Sequence, residues 1–92
     1  MLASDEERMA VRNILIETLN GGSYDIASLK EQLKDDSHFI KEIGIDSLDL
    51  LEFVLRLEEH FKMQIHDDDY ASLTSIQAVA EFLKRKNVTF ET

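Results

Sequence analysis

The sequence predicts an all-α fold, a four-helix bundle of three longer helices and one short helix, with a long first loop. Three observations lead there. Apolar residues recur at helical spacing in three separated segments. The 92 residues contain no Pro and only three Gly, so few breakers interrupt them. Capping-box spacing, Ser or Thr followed three residues later by Glu or Gln, occurs ahead of apolar runs. No strand-like alternation is long enough to compete, and no repeat of 20–50 residues is visible. The length fits one domain, 1–92. An apolar fraction of 43% is enough to build its core.

The first helix is expected over about 5–19. Ser4 and Glu7 have the capping-box spacing, and Val11, Ile14, Leu15 and Leu19 share one face behind them. Asn20, Gly21 and Gly22 should end it, because both residue types tolerate the left-handed C-terminal conformation. A long connection, about 21–46, follows. Ser28 and Glu31 repeat the capping spacing, which predicts one or two helical turns near 28–34. Phe39, Ile40, Ile43 and Ile45 should pin its second half to the core.

The strongest helix is expected over about 47–61, where Leu50, Phe53, Val54, Leu57 and Phe61 form a continuous stripe. Asp67-Asp68-Asp69-Tyr70-Ala71-Ser72-Leu73 predicts a short helix with acids at its positive end. Thr74 and Gln77 read as a third capping box. They open a last helix with Ile76, Val79, Ala80 and Leu83 inward and Lys84, Arg85 and Lys86 at its negative end. None of these helices buries its stripe alone, so they should pack together.

Composition removes several classes of function. There is no Cys, which excludes disulfides, thiolate metal sites and a cysteine nucleophile. A net charge of −9 argues against nucleic acid and for a basic protein partner. No apolar run approaches the roughly 20 residues of a membrane span, and the N-terminus lacks a secretory pattern. The expectation is a soluble cytoplasmic monomer without stable membrane insertion. His38, His60 and His66 lack metal-ligand spacing. The Asp67–Asp69 run fails the EF-hand pattern, since Ser72 and Ala78 stand where Gly and Glu are needed.

The informative stretch is Gly44-Ile45-Asp46-Ser47-Leu48-Asp49-Leu50-Leu51-Glu52. By spacing alone it is met by an ordinary helix start, with Asp46 as N-cap and Asp49 near the positive end. At about 100° per residue, however, Leu48, Leu51 and Leu55 fall opposite the core stripe, among Glu52 and Glu59. Apolar residues rimmed by charge suit a docking surface. Cover by another element, such as the 28–34 segment, would account for them equally well.

Over this region the chain resembles the acyl carrier proteins, whose signature is Asp-Ser-Leu at the start of the second helix. GIDSLDLLEFVLRLEEHF is followed by the acidic DDDYASL turn and the TSIQAVAEFL helix at the family's spacing. The resemblance implies that Ser47 carries 4'-phosphopantetheine, added from coenzyme A by a separate phosphopantetheinyl transferase, so the chain is not itself an enzyme. The thiol of that arm would let a chain without Cys carry thioesters. It assigns Asp46 to capping and transferase recognition. It places Leu48, Leu51, Glu52, Leu55 and Glu59 on or beside a face that docks acyl-loading enzymes, ketosynthases and other partners with basic patches. The acyl chain would be housed among residues such as Phe53, Val54, Leu57, Ile65 and Leu73.

The pattern has three departures. The first loop is longer by one or two helical turns within Gly21–Asp36, His66 replaces a frequent Pro, and Asp46 stands where peptidyl carriers often have His. The last favours acyl over aminoacyl cargo. The implied function is a discrete carrier of acyl groups for fatty acid, polyketide or specialised lipid biosynthesis. Its rivals are an aminoacyl or peptidyl carrier, and an unmodified acidic adaptor that binds a basic partner.

Overall fold

The computed structural model describes residues 3–88, whose regular elements are all helical, with no strand among them. Helix α1 spans Asp5–Leu19, α2 Ile26–Gln32, α3 Ser47–Phe61 and α4 Ile76–Arg85. A π-helical turn, Phe39–Ile43, precedes α3, and a 3-10 helix, Asp67–Ser72, precedes α4. Helix α1 packs against α2, α3 and α4. No helix among the described residues is long and apolar enough to cross a membrane.

The predicted start of α1 is present in full. Glu7 N–H donates to Ser4 Oγ at 3.2 Å, and Ser4 N–H donates to Glu7 Oε1 at 2.7 Å. Its end differs from expectation. Asn20 is right-handed (φ −65°), and neither Gly21 nor Gly22 has positive φ. The helix ends instead through a right-handed turn in which Gly22 N–H reaches the Leu19 carbonyl.

The long connection is more ordered than expected. Asp25, not Ser28, caps α2, its carboxylate accepting from Ser28 N–H at 3.3 Å. The helix therefore begins ahead of the predicted 28–34 segment. A carboxylate at Asp25 captures the free amide first, and the Ser28 hydroxyl accepts from Gln32 instead. Arg12 closes the other end, donating to the Lys30 and Leu33 carbonyls at 2.7 and 2.6 Å. Two cross-links then stitch the segment to the start of α4: Phe39 N–H to the Thr74 carbonyl and Gln77 N–H to the Asp35 carbonyl, both 2.8 Å.

The π-helical turn has its own cap, with His38 Nδ1 accepting from Ile40 and Lys41 N–H. It ends at Gly44, whose φ of 82° is the left-handed conformation that glycine adopts without a Cβ clash. Of the four residues expected to pin this segment, Phe39 and Ile45 are buried and Ile43 partly so. Ile40 is a correction: it is 51% exposed, because the turn rotates it away from the core. Phe39 meets Phe53 of α3 edge-to-face, with ring centroids 6.0 Å apart.

The third predicted capping box is also corrected. Ser75 is the N-cap of α4, accepting from Ala78 N–H at 3.1 Å. The Thr74 carbonyl is used by Phe39, and the Gln77 side chain donates to Glu81. The inward face of α4 holds, with Ile76, Val79, Ala80 and Leu83 fully buried. His66 flanks the 3-10 helix as its N-cap residue without a side-chain capping bond.

Candidate functional site

The site is built on the first turn of α3. Asp46 lies in extended conformation just outside it, and its Oδ1 accepts from Leu48 N–H at 2.8 Å. That carboxylate satisfies one of the amides a helix start leaves free. Ser47 is therefore the first helical residue, and it is exposed. The amides of this turn point toward its surroundings and create a local positive field, which favours a phosphate.

A residue far away in sequence completes the turn. Tyr24, in the α1–α2 loop, accepts from Asp46 N–H at 2.9 Å and donates to Asp49 Oδ2 at 2.7 Å. Burial of the ring pushes its phenol above the ordinary tyrosine value, with the Asp49 bond acting in the same direction and the Asp46 N–H opposing.

Beside Ser47 opens an apolar cleft of about 190 Å³, lined by Ile40, Ser47, Leu50, Leu51, Phe53, Val54, Tyr70 and Leu73. The π-helical turn, α3 and the 3-10 helix each contribute a wall. Of the residues expected to house an acyl chain, Phe53, Val54 and Leu73 line this cleft. Leu57 and Ile65 are buried in the core, and neither is among the lining residues.

The outer side of α3 carries the row of leucines. Leu48, Leu51 and Leu55 are 74%, 43% and 54% exposed, so the 28–34 segment does not cover them. Glu52 and Glu59 are exposed on the same side. Glu52 lies 3.8 Å from Arg56 one turn on, a solvent-exposed pair of small energetic weight. Asp46 caps α3 and the other predicted residues up to Glu59 sit on it: Leu48, Glu52, Leu55 and Glu59 on the surface, Ser47, Phe53 and Val54 at the cleft, Leu51 on both, and Leu57 in the core.

A family model described as a phosphopantetheine attachment site matches residues 25–83. An acyl carrier protein from Bdellovibrio bacteriovorus is 34% identical over 76 residues, spanning 83% of this chain and 88% of that relative. This chain belongs to the acyl carrier proteins. Another acyl carrier protein, from Buchnera aphidicola, is 34% identical over 83 residues, with 90% of this chain and 92% of the relative aligned. The solution structure of an Anaplasma phagocytophilum protein described as an acyl carrier protein superposes with a TM-score of 0.76. It is 26% identical and covers 94% of this chain and 93% of its own.

Acyl carrier proteins bear a covalent 4'-phosphopantetheine and act as carriers, not catalysts. The residues present fit that group: an exposed hydroxyl, at a helix start, at the edge of an apolar cleft. Sequence reasoning missed four contributors. Leu50 belongs by periodicity to the core stripe, and Ile40 to the residues that pin the segment before α3. Tyr70 lies within the acidic segment, where the neighbouring charges carry no sign of an apolar wall. Tyr24 had no signal, because its bonds cross 22 and 25 positions with no periodic pattern.

Proposed function

We propose that Ser47 of this acyl carrier protein is the residue that takes the phosphopantetheine arm. The chain, as a single carrier domain, then tethers acyl intermediates as thioesters and moves them between enzymes of fatty acid, polyketide or specialised lipid biosynthesis. One observation carries the reading: Ser47 presents an exposed hydroxyl at the start of α3, flanked on one side by an apolar cleft and on the other by exposed leucines.

Each residue has a part. Ser47 Oγ forms the new bond to the phosphorus on the pantetheine side of coenzyme A, the pyrophosphate P–O bond breaks to release adenosine 3',5'-bisphosphate, and the hydroxyl proton goes to a base on the transferase. Asp46 holds the turn open by capping Leu48. Leu48, Leu51 and Leu55 supply apolar contact to the transferase, acyl-loading enzymes and ketosynthases, while Glu52 and Glu59 meet their basic patches. When bound, the arm supplies the thiol on which the acyl group is held. Ile40, Leu50 and Tyr70, with Phe53, Val54 and Leu73, form walls that shield the first part of an apolar chain from water.

The test is intact-mass measurement after incubation with coenzyme A, Mg²⁺ and a broad-specificity phosphopantetheinyl transferase. A gain of one phosphopantetheinyl group, lost completely in Ser47→Ala, is expected. An unchanged wild-type mass would return the molecule to an acidic adaptor, and modification surviving Ser47→Ala would move the site elsewhere.

A further inference from the structure

We propose that Tyr24 is a positioning residue for the loading of Ser47, a role that rests on Ser47 being the attachment site. Its hydroxyl makes two bonds that straddle Ser47. It accepts from the backbone N–H immediately before the serine and donates to the carboxylate two residues after it, at 2.9 and 2.7 Å.

Asp46 is the hinge between the extended chain and α3, and its side chain is already committed to Leu48. Its backbone N–H is left to fix the approach of the preceding segment to the helix, and Tyr24 takes it. Asp49, in the first turn of α3, is anchored by the same oxygen. The α1–α2 loop thereby fixes both ends of the turn that presents Ser47 Oγ. The Tyr24 ring packs against the core, so its hydroxyl is held from behind by buried apolar contacts. Because burial raises its phenol, the hydroxyl remains a donor to Asp49 throughout the neutral range.

A serine attacking a phosphorus atom needs its oxygen in line, and preorganisation of that oxygen acts on the chemical step rather than on docking. Tyr24→Phe keeps the ring and removes only the oxygen. Steady-state loading by a phosphopantetheinyl transferase should show kcat reduced about fivefold to tenfold, with KM for the carrier within about twofold. Amide exchange at Asp46, read by NMR, should accelerate by a similar factor. Wild type run alongside separates the two ideas: if it takes no group, the Ser47 reading fails and this role with it. Loaded wild type with an unchanged kcat for the variant overturns the positioning role alone. A rise confined to KM would make Tyr24 a docking residue, and loss of the helical circular-dichroism signal would make it a fold stabiliser; either result also overturns the proposal.

Discussion

Single side chains do unequal work in this molecule, and Glu7 shows how one oxygen can serve two elements. Its Oε1 accepts from Ser4 N–H at the start of α1 and from Lys84 Nζ near the end of α4, at 2.7 and 3.1 Å. Both partners favour the ionised carboxylate, the Ser4 amide foremost, and hold its pKa below the ordinary glutamate value. A depressed folded-state pKa contributes stability that is complete above the unfolded value. That contribution is lost as pH falls through the folded one. Glu7→Gln keeps a capping amide but loses the charge. Thermal unfolding followed by circular dichroism should therefore show a shallower loss of Tm for the variant between about pH 5 and pH 3. Parallel curves for the two proteins would show that Glu7 has no such part. The capping half of this arrangement was legible from Ser4 and Glu7 alone. The Lys84 half was not, because only the folded chain brings α4 beside α1.

At the scale of elements, periodicity located α1, α3 and the buried face of α4 closely, since each stripe repeats over several turns. What it misplaced were the ends. At two of the three predicted caps a neighbour serves instead: Asp25 accepts from Ser28 N–H and Ser75 from Ala78 N–H, so α2 starts ahead of Ser28 and the α4 cap falls one residue after the predicted Thr74. The π-helical turn at Phe39–Ile43 has too short a register for any stripe to announce it, yet it turns Ile40 outward to become a cleft wall. The cleft is thus a product of three elements, only one of which was placed in advance with its facing residues. An acyl chain attached through the arm should perturb NMR shifts at Ile40, Val54, Tyr70 and Leu73 more than at Leu57 or Ile65, which are packed into the core. Equal perturbation throughout would mean that the helices part to admit the chain into the core. No change at any of them would place the cargo outside the protein.

Across the whole molecule, charge is distributed unevenly. The 29 residues from Lys41 to Asp69 hold nine acids and three bases, which is −6 of the total −9. That stretch contains Ser47, the leucine row and the acidic 3-10 helix, so the negative potential surrounds the surface that would dock. Binding to a loading enzyme should weaken as salt rises past the point where the screening length falls below about 10 Å. At low salt, Glu52→Gln and Glu59→Gln should each raise Kd by about twofold to fivefold, with Glu6→Gln near neutral. Titration calorimetry at several ionic strengths would decide this, and equal effects of all three substitutions would reduce the acidity to a general aid to solubility. The chain has two tyrosines and no tryptophan. One phenol is bonded to the turn holding Ser47, and the other lines the adjoining cleft. Near-ultraviolet absorption and emission from these rings therefore arise beside Ser47, the proposed attachment point, and would give an intrinsic optical reporter of a group loaded there.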